Sequence, residues 1–186
     1  MTTAPRLVLA SRSPQRRAIL EQVGVEFDVV VPDVEELSEG QPEAVVVENA
    51  LRKARAVEGP LVLGCDTGVV LDGRVYGKPR DADEAECFLR RLSGREHRVV
   101  SGLALVEDGV ERTATASTGV AFRELDEPTL RWYLDSGEWR ERAGGYAIQG
   151  RGAALVAAID GDYLNVVGLP LATLLDLKPS LPLRHR

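Results

Sequence analysis

The sequence predicts an α/β protein built on a twisted mixed β-sheet with flanking helices. Three observations point there. Short β-branched apolar runs alternate with amphipathic stretches through the first half of the chain. Asp-Gly pairs at 72–73, 108–109 and 160–161 mark hairpins or tight turns. The elements do not repeat as strand–helix–strand units, which separates the chain from a Rossmann fold and favours a sheet of mixed direction.

Arg6 to Ala10 (RLVLA) reads as a strand. Ser13-Pro14 then supplies an N-cap and first helical residue for a helix with Ile19, Leu20 and Val23 inward, stopped by Gly24. Val25 to Val31 is β-branched enough for a second strand. Gln41 to Glu58 places Val47, Ala50, Leu51, Ala54 and Val57 at helical spacing, with Arg52, Lys53 and Arg55 mostly on other faces. Leu61 to Cys65 reads as a buried strand, followed across Asp66-Thr67-Gly68 by Val69 to Leu71. Asp81 with Glu84 forms a capping box for a helix that buries Ala85, Phe88, Leu89 and Leu92. His97 to Glu107 and Val110 to Phe122 read as a long hairpin over Asp108-Gly109. Pro128 to Asp135 is a short helix, Ala153 to Ile159 a strand, and Pro170 to Leu177 a final helix.

At 186 residues the chain is one generous domain or two lobes around a cleft, and with neither repeats nor a linker any lobes must be interleaved within a single unit, 1–186. A hydrophobic fraction of 44% and a charged fraction of 28% exclude disordered and fibrous classes. The net charge of −6, from 23 Lys plus Arg against 29 Asp plus Glu, opposes nucleic acid or an anionic membrane as partner and points to small-molecule chemistry. Two cysteines, Cys65 and Cys87, give neither a disulfide framework nor a metal-thiolate cluster and suit a reducing cytoplasm. No apolar run has the length of a membrane span or a secretory signal, so the whole chain is expected to be the mature protein.

Arg6, Arg12, Arg16 and Arg17 all precede the first acidic residue, Glu21, in an otherwise acidic chain. A strand–loop–helix start carrying Ser11, Ser13 and these cations can offer backbone N–H groups, hydroxyls and guanidinium forks to a phosphate. The alternative is a capped helix with a solvated arginine face. Asp66 follows a buried strand, where α/β proteins place reactive groups, although an Asp there also reads as a turn residue. Glu35 and Glu36 lie beyond the second strand and could join Asp66 around a hard divalent cation. Lys53, on a helix, reads as a solvated charge, whereas Lys78 in Tyr76-Gly77-Lys78-Pro79 is held extended and suited to reaching a phosphate. His97 and His185 are the only histidines, which excludes a His-based metal triad. The stretch GGYAIQGRG at 144–152 lacks both the P-loop ending and the Rossmann spacing; it reads as a close-packed turn lining a pocket, with Gln149 able to meet a base edge. Trp132, Trp139 and Tyr146 are either base-stacking or core aromatics.

Taken jointly, LVLASRSPQRRAIL at 7–20, the Glu-Glu of PDVEEL at 32–37, ENALRKA at 48–54, GCDTGVVLDGRVYGKPRDADEA at 64–85, LRRLSGREHRVVSGLAL at 89–105, AGGYAIQGRGAALV at 143–156 and GDYLNVVGLPL at 161–171 resemble the Maf family of nucleoside triphosphate pyrophosphatases, in family order over nearly the whole chain. The resemblance implies two lobes around a central cleft, a fold related to the inosine triphosphate pyrophosphatases, and commonly a homodimer. It implies hydrolysis between the α and β phosphates to a nucleoside monophosphate and pyrophosphate, with Mg²⁺ or Mn²⁺. Asp66 falls on the position of the catalytic base, with Lys53, Lys78 and Glu36 beside it. Glu36 and Asp66 are the implied metal ligands, and Ser11, Ser13, Gln15, Arg16, Thr67 and Gln149 the implied substrate-binding set, with Arg12 adjacent. Thr67 and Gln149 match the family branch acting on dTTP and UTP, while Gln15 stands where that branch has an arginine. Other pyrimidine or modified nucleotides such as 7-methyl-GTP stay open, as do a non-catalytic nucleotide-binding regulator of septum formation and a sugar-nucleotide transferase.

Overall fold

The computed structural model describes residues 5–181 and Leu183; His185 lies outside them. The chain opens with β1 (Leu7–Ala10), α1 (Pro14–Gln22), β2 (Phe27–Val30), α2 (Pro42–Arg55) and β3 (Leu61–Leu71). β1 pairs in parallel with β2 on one side and β3 on the other. The chain therefore reverses direction across the sheet after β2, and such a reversal opens a crevice beyond the C-terminal ends of the central strands. Strand alternation assigns the two faces. Leu7, Leu9, Leu61, Leu63 and Cys65 pack with Ile19 and Leu20 of α1, whereas Val8, Ala10 and Val62 pack with Ala50 and Ala54 of α2.

β4 (Arg74–Tyr76) folds back on β3 over Asp72 and Gly73, both at positive φ (52° and 75°), as a tight two-residue hairpin requires. α3 (Ala82–Leu92) begins at Asp81, whose carboxylate accepts from the Glu84 N–H at 2.8 Å; the Glu84 side chain reaches the Arg80 N–H and not that of Asp81, so the capping box is offset by one residue. β5 (Glu96–Glu107) and β6 (Val110–Phe122) form the long hairpin. α4 (Glu127–Asp135), β7 (Val156–Asp160), α5 (Tyr163–Val167) and α6 (Leu171–Leu177) complete a seven-stranded sheet in the order β2-β1-β3-β5-β6-β7, with β4 beside the far half of β3.

Three expectations need correction. β3 is one continuous strand of 11 residues, so Asp66-Thr67-Gly68 is not a turn. Its pairing with β5 runs from Leu61–Glu107 to Val70–Arg98, and this long partner overrides the local turn preference of Asp and Gly. Residues 153–155, expected in a strand, belong to a 3₁₀-helix, Gly150–Leu155, because the Glu138 carboxylate binds the Arg151 and Gly152 N–H groups and winds the segment. α5 was not foreseen at all; Asp162 caps it through the Leu164 N–H.

Leu61, Leu63, Leu103 and Leu105 belong to a core cluster with β1, α1 and α6, while Val69, Leu71 and Val99 belong to a second with α3, α4 and the end of β6. β3 and β5 thus run through both. α2 lies directly on this strand pair because Gly64 and Gly102 offer no side chain; a Cβ at either would run into α2 backbone at Ala50 or Val46. β1 ends opposite Gly64 and β4 ends opposite Val69, so residues 65–68 of β3 have neither strand beside them on that edge.

Candidate active site

That gap in the strand edge opens into a cavity of about 900 Å³. Asp66 continues the Val62, Gly64 alternation and therefore faces α2. There its Oδ1 accepts from Lys53 Nζ at 2.7 Å and its Oδ2 from Asn49 Nδ2 at 2.9 Å. The same ammonium lies 3.0 Å from Glu36 Oε1. Lys53 is 6% exposed, which corrects its reading as a solvated charge. Asn49, Ala50, Lys53 and Ala54 form one buried stripe on α2, and the close approach permitted by Gly64 and Gly102 brings that stripe onto β3. Asn49 also holds both the N–H and the C=O of Leu37, fixing the segment that presents Glu36. Glu35 does not line the cavity; its carbonyl accepts from Arg52.

Thr67, one residue on, faces the opposite side. Its hydroxyl accepts from Arg16 Nη2 at 3.2 Å and bonds Ser101 Oγ at 2.9 Å. Arg16 also donates from Nη1 to Ser11 Oγ and from Nε to the Gly168 carbonyl at 2.9 Å, so its guanidinium is locked at the start of α1. Ser11 Oγ accepts in addition from the Ser13 N–H, and Ser13 Oγ donates to Gln15 Oε1 at 3.1 Å. Arg12 lines the same wall and is exposed. The third wall comes from the far half of the molecule. Lys78 Nζ pairs with Glu141 Oε2 at 2.9 Å, both largely exposed, and the ammonium holds the Glu141 carboxyl below its usual range. Gln149 precedes the 3₁₀-helix that Glu138 anchors, and Tyr146 lies beneath, its hydroxyl bonded to His97 Nε2 at 2.8 Å.

Ser11, Ser13, Gln15, Arg16, Glu36, Lys53, Asp66, Thr67, Lys78 and Gln149 therefore all line one cavity. Trp132 and Trp139 do not; the first is exposed and the second is core, leaving Tyr146 as the aromatic at the cavity. His97 is buried, its side chain bonds Tyr146 and no serine among the described residues, and burial lowers its pKa to about 4. Burial likewise pushes the Cys65 thiol up, away from thiolate chemistry. Asn49, Ser101, Glu141 and Arg142 were not singled out from sequence. For Asn49 a signal existed: it recurs four residues before Lys53 on a face otherwise made of Val46, Ala50 and Ala54, and polar residues on a buried stripe need a partner.

The donors open to a divalent cation are the carboxylates of Glu36 and Asp66. Among the described residues no three His, Cys, Asp or Glu side chains converge. Two carboxylates and one ammonium do, leaving one net negative charge. That set suits a hard cation that takes its remaining oxygens from water and a substrate phosphate, the usual habit of Mg²⁺.

Known proteins similar to this chain carry one recurring name. A dTTP/UTP pyrophosphatase of Symbiobacterium thermophilum is 52% identical over 172 residues, 89% of each chain. Proteins of the same name from Thermus thermophilus and Thermococcus gammatolerans are 48% and 46% identical, covering 90% and 92% of this chain and 90% and 95% of their own. Among solved structures, the Staphylococcus aureus Ham1 protein overlaps 63% of this chain and 71% of its own at 16% identity, with a TM-score of 0.47. Residues 6–178 match the family described as Maf-like protein, and the chain belongs to that family.

Proposed function

We propose that this protein is a nucleoside triphosphate pyrophosphatase that cleaves dTTP and UTP between the α and β phosphates, releasing the monophosphate and pyrophosphate. The observation that carries the reading is the cavity in which a buried Lys53, paired with Asp66 and with the more exposed Glu36, opposes the Ser11–Arg16 start of α1. Asp66 is the base. Each of its oxygens accepts one hydrogen bond and keeps a lone pair, so it can take the proton of an attacking water while Lys53 and Asn49 hold it in place. Arg16 and Lys78 neutralise charge that builds on the phosphates. Glu36 and Asp66 would hold a Mg²⁺ or Mn²⁺, which when bound polarises phosphate oxygens. Gln15 and Gln149 offer uncharged amide groups to the base edge, and Thr67 contributes by orienting Arg16. The non-catalytic alternative leaves the carboxylate–lysine cluster at the cavity without a purpose, and the transferase alternative requires an acceptor.

The test is a panel of dTTP, UTP, GTP and 7-methyl-GTP with Mg²⁺ or Mn²⁺, resolved for monophosphate, diphosphate, phosphate and pyrophosphate. Monophosphate with pyrophosphate, and no need for an acceptor, supports the reading; phosphate with diphosphate overturns it. Gln149→Glu and Gln15→Arg should reorder kcat/KM across the panel, by about 1–3 kcal/mol per lost or gained hydrogen bond. The same reading carries a cytoplasmic location, which the free thiols of Cys65 and Cys87 suit, and a homodimer, which light scattering would test.

A further inference from the structure

Five cations line the cavity, and Arg142 is held unlike the rest. Lys53 and Lys78 pair with carboxylates, Arg16 is locked by three acceptors, and Arg12 reaches solvent. Arg142 is partly buried, its Nε is fully buried without a partner, and no hydrogen bond or ion pair reaches its guanidinium among the described residues. Burial depresses its pKa. The two carboxylates whose charge reaches it are committed elsewhere: Glu138 binds the Arg151 and Gly152 N–H groups, and Glu141 binds Lys78. An arginine retained for structure takes up such carboxylates, because an unpaired buried charge costs stability. Here the cost is tolerated at a cavity wall, where an incoming anion can offset it.

The backbone fixes the place of the Arg142 segment. Gly144, two residues on, donates its N–H to the Gly77 carbonyl at 2.9 Å, fastening the Arg142 segment to the residue before Lys78. Gly144 adopts a φ of 68°, and a Cβ there would strike Val69, so the segment is seated against β3 and does not swing freely. A planar fork beside an ammonium matches the oxygens of a phosphate chain better than the edge of a pyrimidine.

We infer that Arg142 is a further substrate-binding residue, its guanidinium engaging the β and γ phosphates of the nucleotide beside Lys78. This deepens the pyrophosphatase reading and rests on it for the identity of the substrate. The test uses the full chain carrying Arg142→Met and Arg142→Lys. Calorimetric titration with inorganic pyrophosphate in Mg²⁺ buffer should show binding weakened on the order of 10- to 100-fold in Arg142→Met and partly restored in Arg142→Lys, while dTMP affinity stays within about twofold. The melting temperature of Arg142→Met should hold or rise, since no partner is lost; a marked fall would identify a structural residue and overturn the inference. Pyrophosphate affinity equal in wild type and Arg142→Met, no pyrophosphate binding by either, or a parallel loss of dTMP binding would each overturn it as well. A wild type that binds pyrophosphate through Arg142 but leaves dTTP and UTP intact would refute the pyrophosphatase reading alone.

Discussion

On the α2 side of the cavity the charges are matched within the protein: Lys53 lies between Asp66 and Glu36, and Asn49 fills the remaining oxygen of Asp66. On the side contributed by residues 77–78 and 141–149, Lys78 is half exposed in a pair with Glu141, and Arg142 has no partner among the described residues. The first wall is assembled before any ligand arrives, and its groups need little reorganisation when charge develops. The second leaves cations for the ligand to complete. Chemistry suits the former and capture suits the latter, because preorganised dipoles act on transition states while unpaired cations act on any anion that enters.

The largest effect should come from disabling the assembled wall. Asp66→Asn keeps the shape but cannot accept a proton, and turnover should fall by about 10²–10⁴-fold with the circular dichroism spectrum unchanged; near-wild-type kcat would remove Asp66 as the base. Next is a contrast between a cation locked within the protein, Arg16 at the start of α1, and the half-exposed Lys78 of the open wall. Arg16→Ala loses a guanidinium held by three acceptors and should lower kcat/KM by roughly 2–4 kcal/mol, against about 1 kcal/mol for the screened Lys78→Ala. Equal losses would mean that locking a cation in place adds nothing to its action on the substrate.

The open wall hangs on His97, whose ring accepts or donates at Tyr146 beneath the Gln149 segment. Its pKa falls from about 6.5 unfolded to about 4 in the fold, so the unfolded chain binds the extra proton between those values. The stabilisation is complete above pH 6.5 and is lost as pH falls toward 4, by no more than about 3 kcal/mol. Urea titrations from pH 7.5 to 4.5 should show this slope, and His97→Gln should flatten it; a slope unaltered in the variant would assign the acid sensitivity elsewhere. The last effect joins stability to turnover. Gly102→Ala forces α2 off the sheet and should cost about 1–3 kcal/mol, with a parallel drop in kcat as Lys53 moves from Asp66. Unchanged stability would mean that the helix is free to slide.

Much of the fold was legible because local chemistry and the final structure agree. Ser13-Pro14 caps α1, and Asp-Gly at 72–73 and 108–109 turns the hairpins as expected. Asp66 was harder to read, since a strand may be dictated from outside: β5 supplies its pairing, and nothing within Asp66-Thr67-Gly68 announces that. Lys53 was misread from its residue type, which is usually exposed, although its helical phase beside Asn49 and Ala50 placed it inward. The cavity residues were assembled from resemblance and from isolated hints of phosphate binding. Arg142 escaped because its interest lies in a missing partner, which only three-dimensional neighbours reveal.

β3 and β5 cross from one core cluster into the other without interruption. Widening the slot between the two halves would mean bending or shearing a continuous ladder of backbone hydrogen bonds, a far stiffer deformation than turning a hinge at a loop. The gauge of the slot is then a property of sheet curvature, like a calliper locked at one setting. Entry and exit of ligands fall to side-chain rotation and to the short segments at the rim.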